Sequence, residues 1–126
     1  MSRIIVADDD EIIVEIVRQA LADDDHIIGW LSDGQAALDV IRQRPPDLVI
    51  LDCNMPGMTG ISVLREMRKS VELWDVPVLM LTGRQSENDE RISRYEGAND
   101  YMRKPFNPAA FAKRARALLD GARTRA

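Results

Sequence analysis

The sequence predicts an α/β domain: a parallel sheet of five strands, doubly wound with five helices into a (βα)5 three-layer sandwich. Three observations carry that reading. Short apolar runs rich in β-branched residues alternate with longer stretches whose apolar residues recur at helical spacing. Three of the runs lack polar alternation, as strands buried on both faces do. The chain has 126 residues, 45% hydrophobic and 30% charged, enough for one domain with a real core.

The elements follow in order. "RIIVA" (3–7) reads as strand one. In "DEIIVEIVRQALA" (10–22), Ile12, Ile13, Ile16, Val17, Ala20 and Leu21 share a helical stripe. "HIIGWL" (26–31) reads as strand two, and Ala37, Leu38 and Ile41 give the next helix one apolar face. Pro45-Pro46 ends that helix. "DLVIL" (47–51) is strand three; Ile61, Leu64 and Met67 mark helix three. "VPVLML" (76–81) is strand four, and Ile92 and Tyr95 mark a weakly amphipathic helix four. "NDYM" (99–102) is a short fifth strand, and "PAAFAKRARALL" (108–119) is helix five. Right-handed crossovers leave few topologies, of which the flavodoxin-like order 2-1-3-4-5 suits five such units.

Composition narrows the function classes. A net charge of −4 disfavours direct nucleic-acid binding. The single cysteine, Cys53, permits neither an internal disulfide nor a multi-cysteine metal site, which fits a reducing compartment. No apolar stretch approaches the ~20 residues of a membrane span, and "MSRIIVADDD" turns acidic too soon for a signal peptide. The cytoplasm is the expected location. His26, the lone histidine, falls at the edge where strand two begins and is expected to be solvated or packed.

In such sheets ligands sit at the carboxyl ends of the strands. Strand one ends in Asp8, Asp9 and Asp10, strand three in Asp52, strand four in Thr82, and strand five is followed by Lys104-Pro105. Each has a plain reading: helix cap, turn-starting acid, strand-end hydroxyl, solvated lysine. A cap needs only one acid, Asp9 or Asp10, and three adjacent carboxylates repel unless a hard divalent cation such as Mg²⁺ sits among them. Asp52 is expected to stand exposed at the end of its strand. Carboxylates, a cation, an ammonium and a hydroxyl gathered at one edge suit phosphoryl transfer, with a carboxylate as nucleophile. Neither a Walker A sequence nor G-x-G-x-x-G follows strand one, so a bound nucleotide is not the natural phosphoryl source.

"IIVADDDE", "PDLVILDCNMPGMTG", "VPVLMLTG" and "GANDYMRKPF" resemble, in that order, the signature blocks of the receiver domain of bacterial two-component response regulators. The resemblance covers about residues 3 to 120 and makes 1–126 one receiver unit, with 121–126 a tail or the start of a linker. It implies roles for particular residues. Asp8 and Asp9 match the acidic pair that helps hold Mg²⁺ (or Mn²⁺), Asp9 directly and Asp8 through water. Asp52 matches the phosphoacceptor, and the backbone carbonyl of Asn54 completes the metal site. Thr82 matches the hydroxyl that moves to bond the phosphoryl group, Lys104 the lysine that pairs with it, and Tyr101 the aromatic switch that turns inward. The Lys104-Pro105 bond matches a cis peptide. Cys53 and Met55 are assigned to packing.

The resemblance also implies a sensor histidine kinase or histidine phosphotransfer protein as donor. A downstream protein target would bind the face of helix four, strand five and helix five. Such a chain is a signalling switch rather than an enzyme, limited to self-phosphorylation from a phosphodonor and slow self-dephosphorylation. A phosphorelay intermediate, or a receiver belonging to a longer DNA-binding or enzymatic regulator, fits the same pocket. Some positions depart from the common pattern. Gly83 stands where alanine is usual, Asn99 where aspartate is common, and Arg84 flanks the pocket two residues past Thr82, where it is expected to tune the lifetime of the aspartyl phosphate. Asp100 and Arg114 resemble charged positions through which related regulators form phosphorylation-dependent dimers. Lys113, Arg114, Arg116, Arg123 and Arg125 make the C-terminal region basic, as suits the end of a helix.

Overall fold

The computed structural model describes residues 1–83 and 87–125. Among them five strands and five helices alternate as β1 (Ser2–Ala7), α1 (Glu11–Ala20), β2 (His26–Leu31), α2 (Gly34–Gln43), β3 (Leu48–Asp52), α3 (Gly60–Lys69), β4 (Val78–Thr82), α4 (Glu87–Tyr95), β5 (Asp100–Arg103) and α5 (Pro108–Arg125). The sheet is wholly parallel with order β2-β1-β3-β4-β5.

The central strands β3 and β4 are buried along their whole length, which explains their unbroken apolar sequence. Successive side chains of a strand point to opposite faces, so the sheet feeds two cores. Ile4, Val6, Ile50 and Leu79 pack with Val14, Val17, Phe111 and Ala115 of α1 and α5. Ile5, Ala7, Leu51 and Met80 pack with Leu38, Ile41, Leu64 and Met67 of α2 and α3.

Local chemistry sets the boundaries. Asp10 caps α1 by accepting from the Ile12 N–H at 2.9 Å, so the helix starts one residue later than its apolar pattern suggests. Asp33 and Thr59 cap α2 and α3 in the same way. Pro77 has no N–H for the ladder and Val76 donates back to Leu73, so β4 begins at Val78 rather than Val76. Two stripe expectations are corrected. Ile12 is 70% exposed and Val14 takes its place against the sheet. On α4, Ile92 and Tyr95 are exposed, and the buried position is a polar one, Ser93.

Among the described residues, no helix is long and apolar enough to cross a membrane. His26 is packed rather than solvated: its side chain lies 3.3 Å from Asp24, which also accepts from Arg116 of α5 at 2.7 Å.

Candidate functional site

The ladder carries the predicted residues to one edge. Asp8 follows the last residue of β1 and its N–H donates to Leu31 of β2; Asp52 and Thr82 end β3 and β4; the Lys104 N–H donates to the Thr82 carbonyl at 2.6 Å. Asp8, Asp9 and Asp52 each present a carboxylate oxygen within 4.8 Å of the others. The Lys104 ammonium donates to Asp8 at 2.8 Å and stands 3.5 Å from Asp52. The Lys104–Pro105 peptide is cis.

Burial changes the character of these groups. Asp8 is fully buried and Asp52 is 5% exposed, so the expectation of an exposed Asp52 is corrected: Lys104 and the backbone of Asn54 lie against its carboxylate. Burial pushes the Asp8 carboxyl above the usual carboxylate range even though Lys104 is bonded to it. Burial first, and then the charge of Asp8, push Asp52 up to about 6. Burial works against the Lys104 ammonium, but its bonds to the two carboxylates more than offset that and its pKa is raised. Among the described residues, Asp8 and Asp52 thus share the Lys104 ammonium with Asp9 beside them, and a further cation would relieve the three acids. The donors are all hard oxygens, the set that Mg²⁺ takes, so the residues fit a divalent ion. Asp9 is exposed and gives such an ion a path from solvent.

The loop after β3 is shaped around Asp52. Asn54 donates its N–H to Asp52 at 3.4 Å, which puts its backbone at the rim of the acid cluster. Gly57 takes a positive φ of 75°. A Cβ at Gly60 would stand 1.9 Å from the carbonyl oxygen of Asp52, so α3 starts where only glycine fits. Gly83 has open space where a side chain would stand, whereas Arg84 lies outside the described residues, as do the side chains of Arg123 and Arg125. Tyr101 is 4% exposed, its ring packed with the core of α2 and α3. The Asp100–Arg114 pair closes within the chain at 3.2 Å.

Sequence reasoning missed a second layer. The fully buried Thr82 hydroxyl donates to Asp89 of α4 at 3.1 Å. The Cys53 thiol lies 3.8 Å from the Ser93 hydroxyl, also on α4. Burial pushes that thiol up to about 11, against opposing hydrogen bonds from Ser93 and Thr82. Cys53 is therefore a polar junction as well as a packing residue. The spacing of Asp89 and Ser93, one helical turn apart, was the signal in an otherwise polar stretch.

Residues 4–116 match the family model of the response regulator receiver domain. Response regulator MprA of Mycolicibacterium vanbaalenii is 38% identical over 117 residues, 93% of this chain and 50% of that protein. The chain thus spans about half the length of the curated relatives it matches. Vibrio cholerae chemotaxis protein CheY4 superposes with a TM-score of 0.84 at 30% identity, covering 94% of this chain and 98% of that one. The signal receiver domain of a signal transduction histidine kinase from Syntrophus aciditrophicus gives 0.87 at 26% identity, covering 96% and 92%.

Proposed function

The chain belongs to the response regulator receiver domain family, and from that membership we propose that it is a phosphorylation-controlled signalling switch whose phosphoacceptor is Asp52. The observation that carries the proposal is the cluster of Asp8, Asp9 and Asp52 at the carboxyl edge of the sheet, with Lys104 paired to Asp8 and Asp52.

In this reading a carboxylate oxygen of Asp52 attacks the phosphorus of a phosphohistidine on a sensor kinase or phosphotransfer protein. The P–N bond breaks, the histidine leaves, and an acyl phosphate forms. Asp8, Asp9, Asp52 and the Asn54 carbonyl would hold Mg²⁺ or Mn²⁺, which when bound supplies positive charge to the phosphoryl oxygens. Lys104, 3.5 Å from Asp52, supplies a second positive charge there. Thr82 turns its hydroxyl proton to a phosphoryl oxygen, and Tyr101 packs behind it. Gly83 leaves space beside the group and Arg84 modulates the approach of water. The new charge favours one of two arrangements of α4 and its neighbours. The face of α4, β5 and α5, which bears exposed Ile92 and Tyr95, then binds a downstream protein or a second copy. The chain modifies itself and turns over no other substrate.

Incubation with acetyl phosphate and Mg²⁺, followed by intact mass, tests the proposal. Wild type is expected to gain one phosphoryl group and Asp52→Asn none. A modified Asp52→Asn protein, or an unmodified wild type, overturns it.

A further inference from the structure

A threonine hydroxyl has one proton to donate. In this chain Thr82 gives it to Asp89 Oδ2, at 3.1 Å. It cannot give the same proton to a phosphoryl group on Asp52. The two acceptors are mutually exclusive, and they lie on different elements, one on α4 and one on β3.

The setting strengthens the competition. Thr82 and Ser93 are both fully buried, so their hydroxyls have no bulk water to turn to. Asp89 and Ser93 are one turn apart on α4 and lie on one side of it. Ser93 reaches the thiol of Cys53, the residue after Asp52. The apolar residues Ile92 and Tyr95 face outward instead. The inner side of α4 is thus anchored to the strand ends through polar contacts.

We propose that Asp89 is a positioning residue that retains the Thr82 hydroxyl in the unphosphorylated chain and so sets how readily the phosphorylated arrangement forms. The inference rests on the phosphoacceptor reading of Asp52. Removing the acceptor stabilises neither the phosphoryl group nor the metal. It removes a bond made only in the resting arrangement, and the equilibrium moves toward the other.

Titration of the full chain with beryllofluoride and Mg²⁺, followed by tryptophan fluorescence, tests this. Asp89→Ala is expected to bind about three- to tenfold tighter than wild type, the worth of one net hydrogen bond. Alanine is the better helix former, so α4 persists. Asp89→Asn keeps a carbonyl acceptor without the charge and is expected to stay within about twofold of wild type on the same scale. In a Thr82→Val background the gain from Asp89→Ala is expected to vanish. Unchanged or weaker binding by Asp89→Ala overturns the proposal, as does a gain that survives Thr82→Val. An equal gain in Asp89→Asn also overturns it, because charge repulsion alone then explains the effect. A wild-type chain that takes no beryllofluoride overturns the phosphoacceptor reading and this inference with it. A wild type that binds, with Asp89→Ala no tighter, overturns the inference alone.

Discussion

Lys104 is bonded more closely to Asp8 than to Asp52: its ammonium lies 2.8 Å from the first and 3.5 Å from the second. In the resting chain the lysine therefore chiefly compensates a fully buried carboxylate. Breaking such a pair leaves the remaining charge without a partner in a low-dielectric site. Lys104→Met is expected to cost on the order of 3 kcal/mol of stability near neutral pH. Asp8→Asn/Lys104→Met is expected to lose less than the sum of the single changes, since the fully buried Asp8 charge is no longer stranded and only Asp52 loses its cation. Urea denaturation of the four proteins checks this, and additive losses would contradict the pairing.

Asp52 predicts a pH-dependent gain from losing a charge. Its carboxyl is raised from 3.8 to about 6, mainly by burial and then by Asp8. Between those values the folded chain binds more protons than the unfolded one, so this group's contribution to stability falls as pH rises toward 6. Asp52→Asn removes the penalty. In metal-free buffer the variant is expected to be about 2 kcal/mol more stable than wild type above pH ~6, with the gain gone below pH ~4. Thermal melts across that range decide it, and a gain of equal size at low pH would show that Asp52 charge is not its source. Saturating Mg²⁺ is expected to narrow the gap by stabilising wild type alone.

The sheet order and the groups at its edge were legible because they depend on period and on strand ends. β1 from Ile4 onward, β3 and β4 carry unbroken apolar runs, and Asp8, Asp52 and Thr82 fall where those runs stop. Relations between elements were less legible. Asp52 looked solvent-facing because nothing local says what closes over a strand end. Thr82 with Asp89, and Cys53 with Ser93, join residues on separate elements through single polar atoms, and neither leaves a periodic trace. The same holds for Arg68, which donates to the carbonyls of Gly97, Leu73 and Val76 and to Asn99. Asn99 also accepts from the Val78 N–H, so this departure from the common aspartate remains a working part of the fold.

Gly60 is expected to tolerate no side chain. An added Cβ would meet the Asp52 carbonyl oxygen at 1.9 Å, and backbone must shift to relieve it. Gly60→Ala is expected to lose about 1–3 kcal/mol, in the range of overpacked cores, and to fall several degrees in Tm. Gly83→Ala, with nothing within 4 Å of its added carbon, is expected to melt with wild type. Paired melting curves test both, and equal Tm values for the two variants would contradict the close approach.

Trp30 is placed to report on the acid cluster. Its indole N–H donates to the Asp8 carbonyl at 2.7 Å, so a cation arriving among Asp8, Asp9 and Asp52 changes the field at the ring and the geometry of the bond. Trp74 is 60% exposed and precedes β4, at the opposite edge of the sheet. Mg²⁺ added to metal-stripped protein is expected to change the emission of Trp74→Phe much as it does that of wild type. Trp30→Phe is expected to give no change. A response that follows Trp74 would place the ion away from the three aspartates. A response that follows Trp30 and disappears in Asp52→Asn would tie the ion to the cluster, because that substitution removes a ligand charge while leaving the Trp30–Asp8 bond in place.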